Sequence, residues 1–204
     1  MEGGLGLGKR NKHQLIKWSS IIATTATSVL AITALITVYL TVAAWKVQQE
    51  TTRPYFVLKE SPKVELGSEF SLELKFNNVG IHPAVNLSSM TVVFDEQLSA
   101  KPIYSDESSI VNEIPKDSAS SLVITIPSDE IYPKQLSINA HYVVVDLQYA
   151  DPILKKSYHQ TIYMKWSGVR EGKMQPTVHV REEEKAKILY YFQKHNIDPK
   201  FRSH

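Results

Sequence analysis

The side chains of this chain able to ligate a metal or move a proton are few and scattered. Between residues 54 and 180, histidines stand at positions 82, 141, 159 and 179. Acidic doublets stand at Asp95-Glu96, Asp106-Glu107 and Asp129-Glu130. Paired carboxylates could serve glycoside hydrolysis, and clustered oxygens could hold calcium, but each chemistry needs a set spacing. No doublet sits in a twelve-residue calcium loop, and no His-Glu-x-x-His, Gly-x-Ser-x-Gly or Gly-rich phosphate loop occurs. A hairpin turning near Asp151 to Leu154 would bring Asp146 beside His159. A single Asp–His neighbour is more often a surface polar pair than a metal or catalytic site. The absence of cysteine removes thiol catalysis, zinc ribbons and iron–sulfur ligation. No catalytic, metal or cofactor-binding residue is therefore assigned. Asn86-Leu-Ser88 matches a glycosylation sequon and is read as a chance match.

The elements that would position any site begin with a hydrophobic run. Between Lys17 and Lys46 there is no charged side chain. As a helix, residues 18–45 would extend about 42 Å, enough to cross a hydrocarbon core of about 30 Å with some tilt. Trp18 and Trp45 close its two ends, where amphipathic rings favour the headgroup zone. The apolar core Ile21–Ala44 is longer than the h-region of a cleaved signal, so it reads as a retained anchor. Lys9, Arg10, Lys12 and Lys17 precede it, which keeps the short N-terminal tail cytoplasmic and places residues 46–204 outside. The net charge of +2 is misleading as a whole. Tail and span carry those four cations against Glu2, leaving the outer part 19 Lys/Arg and 20 Asp/Glu. That balance speaks against nucleic acid as a partner.

Beyond a polar stalk (46–53), hydrophobic periodicity changes from helix to strand. Phe70, Leu72, Leu74 and Phe76 alternate with polar residues, the period of a half-buried strand. Met90, Val92 and Phe94 make a second alternation, and Leu122, Ile124 and Ile126 a third. Leu136 to Tyr149 changes phase midway, which calls for a bulge near Tyr142 or a strand covered on both faces. Tyr158, Ile162, Met164 and Trp166 alternate again, as the return strand of a hairpin. Short strands with frequent turns predict a mainly β fold: an Ig-like antiparallel β-sandwich over 54–168, with a closed barrel as the alternative. Segments 95–118 and 127–135 read as loops with a short strand around Ile103. Asn77, Asn78, Gly80 and Pro83 read as a structural turn, with Gly80 supplying a positive φ. Residues 169–204 read as a linker (Val169 to Val180) and an amphipathic helix. Ile188, Leu189 and Phe192 stand at helical spacing there; the helix either docks on the sandwich through them or offers them as candidate partner-binding residues.

At Arg53-Pro-Tyr55 and Asn78-Val-Gly-Ile-His-Pro-Ala84 the chain resembles a broad, mostly uncharacterised group of bacterial single-pass membrane proteins with an Ig-like outer domain. Those proteins run membrane helix, Arg-Pro-Tyr strand, alternating strand, Asn-x-Gly-x-x-Pro-Ala turn and a late Tyr-x-Asp hairpin. Tyr149-Ala-Asp151-Pro152 and Tyr158 fit the last element, so the resemblance runs from residue 18 to residue 166. It implies a fold and a topology, and carries no catalytic residues to transfer.

The expectation is a non-enzymatic, extracytoplasmic interaction domain anchored in a cell membrane by one span. It would be an accessory subunit whose partners are the bilayer and another protein. Thr24, Thr25, Thr27, Thr33, Thr37 and Thr41 can bond their own helix, and Ala23, Ala26 and Ala34 could allow homo-oligomerisation through the span. The rival readings are two. One is an envelope hydrolase or carbohydrate-active module using loop carboxylates and the aromatics Tyr104, Tyr132 and Tyr163. The other is a small-ligand sensor acting through a partner.

Overall fold

The computed structural model describes residues 7–67, 69–98, 101–110, 112–127 and 137–198, with side chains from Trp18 onward except Ile110. Leu136, the doublet Asp129-Glu130 and Tyr132 lie outside the described residues. The chain divides into two compact units, Met1–Thr51 and Thr52–His204.

The first unit is helix α1 (Leu7–Thr52). It includes part of the tail and all but the last residue of the segment expected to be a stalk. No Pro or Gly interrupts residues 9–53, so nothing breaks the helix before Pro54, which biases Arg53 away from helical geometry. Leu30, Leu35, Tyr39 and Leu40 are exposed on its surface. Its hydroxyls are satisfied internally. Thr24, Thr25, Thr27, Ser28, Thr33, Thr37 and Thr41 each donate to the carbonyl four residues back, at 2.8–2.9 Å. With a mean hydropathy of 2.0, it is the one helix among the described residues long and apolar enough to cross a membrane.

The second unit is an antiparallel β-sandwich. In one sheet, β1 (Phe56–Leu58) and β2 (Lys63–Leu66) follow each other along one edge of β3 (Glu69–Asn78). Strand β6 (Ala119–Pro127) pairs with the other edge of β3 over nine residue pairs. The second sheet has the order β11-β8-β7-β4-β5. It comprises β4 (Val85–Asp95), β5 (Tyr104–Ile110), β7 (His141–Asp151), β8 (Lys156–Trp166) and β11 (Thr177–His179). The core between the sheets takes alternate residues from each. Phe70, Leu72, Leu74, Phe76, Ile124 and Ile126 meet Leu87, Val93, Val143, Val145, Leu147, Met164 and Trp166.

The phase change in β7 is resolved by two-sided burial. Val143, Val145 and Leu147 enter the inter-sheet core, while Tyr142 and Val144 face a second cluster with Val92 and Phe94. That cluster is closed by helix α2 (Glu182–His195), which buries Ile188, Tyr191 and Phe192. The Glu184 carboxylate accepts the Arg181 N–H at the helix start (2.9 Å), and Asn196 ends the helix with a left-handed φ of 52°.

Two expectations are corrected. The short strand expected around Ile103 in segment 95–118 lies just beyond it, as β5, a seven-residue edge strand: its sequence, YSDESSI, has no apolar alternation because backbone pairing with β4 forms it. The segment 169–180 is not a bare linker. It folds into the small hairpin of β9 (Val169–Arg170) and β10 (Lys173–Met174), then β11 on the edge of β8.

Candidate functional site

Three motifs far apart in sequence meet at one end of the sandwich, and a buried amide joins the first two of them. Asn78 is fully buried at the end of β3. Its Oδ1 accepts the N–H of Tyr55 (3.2 Å) and of Gly80 (3.1 Å). Its Nδ2 donates to the carbonyls of His82 (3.0 Å) and Ile114 (3.1 Å). A primary amide has two donors and one two-lone-pair acceptor, so all four positions are used. Asn78 thereby ties together the Arg53-Pro54-Tyr55 entry, its own turn and the loop before β6.

Gly80 has a role different from the one expected. Its φ is not positive. A β-carbon there would lie 2.2 Å from the Arg53 carbonyl oxygen, 2.6 Å from Pro54 Cα and 2.8 Å from the Tyr55 nitrogen. The glycine is needed because another backbone lies against it. Asn77 is a β3 residue rather than part of a free turn. Its amide nitrogen donates to the carbonyls of Asp117 and Ser118 once turned toward them, at 3.1 and 2.9 Å. Pro83 leads into Ala84, which exchanges backbone hydrogen bonds with Ile114 (3.0 and 2.8 Å).

The late hairpin closes the same end. Asp151 is fully buried; its Oδ1 accepts the N–H of Ile153 (2.8 Å) and of Leu154 (3.0 Å), shaping the turn. Its Oδ2 takes the Nδ1–H of His82 at 2.7 Å. Tyr149 donates to the Pro54 carbonyl at 3.2 Å and packs edge-on against Phe56 with ring centroids 5.0 Å apart. Burial pushes its hydroxyl up to about 12, so it remains a donor at neutral pH. Gln160 acts as a strand substitute for β1, accepting the Phe56 N–H (3.2 Å) and donating to the Phe56 carbonyl (2.5 Å). The Arg53 guanidinium lies 5.2 Å from the centre of the Tyr158 ring. The His82–Asp151 pair had no signal in local spacing, because 69 residues separate its members.

Four apolar side chains at this end remain exposed: Tyr55 (43%), Val79 (43%), Ile81 (59%) and Ile153 (61%). Each lies at or beside a backbone hydrogen bond just described. Lys155 and Lys156 follow Ile153 on the hairpin, and Lys116, Glu113 and Asp117 lie exposed on the loop before β6.

A second surface is built by α2. Of the three residues expected to meet a partner, Ile188 and Phe192 are buried against the sheet, because the helix spends its apolar stripe on Phe94 and Tyr142. Leu189 (47%) and Tyr190 (68%) face outward. Beside them, a groove of about 660 Å³ is lined by Glu96, Leu98, Lys187, Tyr190, Tyr191 and Lys194. A polar clamp holds the start of the helix: Lys165 donates to Glu184 (2.9 Å) and Glu96 (2.5 Å). Burial opposes the charge on Lys165, but the two carboxylates outweigh it and raise its pKa. The Arg181 N–H and then Lys165 hold the Glu184 carboxyl below its ordinary range.

The remaining chemistry-bearing residues are dispersed. Glu96 is engaged by Lys165, and Asp106 and Glu107 are exposed on β5. Asp146 pairs in register with Thr161, whose hydroxyl donates to its carboxylate at 2.5 Å; His159 stands opposite Gln148. His141 stacks on Trp166 (5.8 Å), and burial lowers its pKa. Among the described residues no group of three His, Cys, Asp or Glu is placed to hold a metal ion. Trp18 and Trp45 are exposed on α1.

No curated protein matches the sequence. Among solved structures the chain is similar to β-glucosidase 3B from Thermotoga neapolitana in complex with α-D-glucose, at 10% identity and a TM-score of 0.32. That alignment covers 62% of this chain and only 17% of the glucosidase. A likeness this distant carries nothing about activity. Residues 18–170, from the first Trp of α1 through β9, match the family described as a domain of unknown function, DUF8453, and the chain belongs to that family.

Proposed function

We propose that this chain is a membrane-anchored, non-enzymatic interaction domain, an accessory subunit of a bacterial membrane or envelope complex. Its tail would be cytoplasmic and its sandwich extracytoplasmic. The observation that carries the anchor is α1: an uncharged run from 18 to 45 with exposed apolar side chains and internally bonded hydroxyls. Such a helix is costly in water and suited to lipid. The basic residues ahead of it supply the orientation.

The sandwich supports the binding half of the reading. The side chains of its motifs are engaged in holding strands together. The outward face of α2, with Leu189 and Tyr190 beside the groove at Leu98, offers aromatic and aliphatic surface of the kind that anchors protein interfaces. Crosslinking in native membranes, followed by mass spectrometry, tests this. One partner should be recovered in stoichiometric amount with the parent chain and lost with a Leu189→Asp/Tyr190→Asp variant that still folds. A parent chain that remains an uncrosslinked monomer would count against the reading.

A further inference from the structure

We propose that the outer edge of β6 is a strand-addition site. It takes an extended segment of another protein that carries an aliphatic side chain and, two positions along, a Lys or Arg. The site is separate from the outward face of α2 and does not depend on the reading of α1.

The open edge follows from the register. The Asn78 N–H donates to the Ser118 carbonyl (3.1 Å), so the neighbouring pair Asn77–Ala119 exchanges no hydrogen bond. Pairing then runs without a shift to Glu69–Pro127, and bonded and non-bonded pairs alternate along it. Ser120, Leu122, Ile124 and Ile126 therefore spend their backbone groups on β3, whereas Ser121, Val123 and Thr125 direct theirs away from it. The Lys75 carbonyl agrees: opposite Ser121, it accepts the Lys59 N–H on the far edge of β3 (2.8 Å). Among the described residues nothing pairs with the outward backbone groups of β6. The edge also lacks the usual protection. β2 carries Lys63 and Glu65, and β5 carries Asp106 and Glu107, but β6 has no charge, no bulge and no Pro before Pro127. A long, uncharged edge of this kind is a template for another strand.

The surroundings of the edge set the chemistry of its occupant. A cavity of about 290 Å³ lies between the edges of the two sheets, lined by Phe76, Leu87, Leu122 and Leu147 with Ser108 and Ser120. It accepts one aliphatic side chain from an added strand. Paired residues of β4 and β5 share a face, so Tyr104, Asp106 and Ser108 lie on the side of Val93, which faces the first sheet. Asp106 is nonetheless exposed, so the first sheet leaves it uncovered. Its carboxylate accepts the Tyr104 hydroxyl at 3.0 Å and meets no cation among the described residues. Covering it without a counter-charge is costly, so the occupant supplies Lys or Arg. Side chains on one face of a strand are two residues apart, as Asp106 and Ser108 are, which gives the spacing of anchor and cation. A second copy of β6 does not fit. Its sequence, ASSLVITIP, has no cation, and its Ile124 and Ile126 are already buried in their own core.

The full chain in detergent is titrated with Thr-rich peptides of the length of β6, carrying Leu and Lys two positions apart in either order. A matched set has Glu in place of Lys. Binding should slow amide exchange at Ser121, Val123 and Thr125 at least about tenfold, and the Glu peptides should bind at least about tenfold more weakly. Asp106→Asn should erase that difference. N-methylation of the peptide amides that face β6 should abolish binding without touching the fold of the chain. No binding up to about 1 mM, equal affinity for the Lys and Glu peptides, or binding that leaves exchange at 121, 123 and 125 unchanged each overturns the proposal. Amides at 121, 123 and 125 already protected in the free chain mean that the edge is occupied from within the chain or by a second copy. Sedimentation distinguishes those two, and either overturns the proposal.

Discussion

Asn78→Asp isolates the junction on which this end of the sandwich depends. The substitution preserves shape and both accepted hydrogen bonds, from Tyr55 and Gly80. It replaces the donating nitrogen with an oxygen that faces the carbonyls of His82 and Ile114 at 3.0 and 3.1 Å. Leaving two carbonyls unsatisfied in a buried site costs about 1–3 kcal/mol each, so about 4 kcal/mol before the new charge is counted. For a domain of this size that lowers the melting temperature by roughly 10 °C. The penalty should depend on pH with a definite sign. A buried carboxyl facing two carbonyl oxygens has a folded-state pKa above its unfolded value of about 3.9. The folded state then binds the proton more tightly, so the deficit is full above the folded pKa and shrinks as pH falls toward about 3.9. Thermal unfolding of the full chain in detergent, followed by Trp166 fluorescence in a Trp18→Phe/Trp45→Phe background, reads both effects. A variant melting within about 2 °C of its parent, or a deficit unchanged between about pH 7 and about pH 5, would refute the reasoning.

Other perturbations separate the elements. Gly80→Ala forces a β-carbon onto the Arg53–Tyr55 backbone and should cost about 3 kcal/mol, the upper part of the overpacking range. Gly67→Ala, with nothing within 4 Å of the new carbon, should change the melting temperature little, and melting curves of the two variants give the comparison. Phe192→Ala should cost about 3–5 kcal/mol and speed amide exchange in α2, while the amides shared by β3 and β6 stay protected. Acidification should act in two steps. Burial holds the His141 pKa below its ordinary 6.5, so its share of stability is intact above that pH and erodes below it; His141→Gln removes that step. The depressed Glu184 carboxyl contributes stability that is intact above its ordinary 4.5 and is lost as pH falls through its folded value; Glu184→Gln removes that second step from a melting-temperature profile.

Periodicity revealed the strands whose faces differ. Phe70, Leu72, Leu74 and Phe76 alternate with polar residues because one face of β3 meets the core and the other is only partly covered. The same rule left two choices for β7, because α2 covers its outer face and period-two alternation vanishes when both faces are buried. It gave only a short strand around Ile103 where β5 runs over Tyr104–Ile110, because those polar residues pair through the backbone alone, and it took the β9–β11 segment for a linker because strands of two or three residues are too short to show a period. The candidate site was legible only as motifs. Asn78 and Gly80 stood out in the sequence, but their partners did not. His82 with Asp151, and Gly80 with Arg53, become neighbours only when the sheets close. At α2 the spacing of Ile188 and Phe192 correctly marked an apolar stripe; what covers it, the sheet rather than a partner, depends on tertiary contacts.

The proposed function requires that α1 hold the sandwich outside a membrane. Single cysteines introduced by Lys116→Cys, on the exposed loop before β6, and by Gly4→Cys, in the N-terminal tail, report this directly with a membrane-impermeant maleimide. The account predicts that both variants fractionate with membranes, that Lys116→Cys is labelled in intact cells, and that Gly4→Cys is labelled only after permeabilisation. The reverse labelling pattern, or a chain recovered in the soluble fraction, would contradict it.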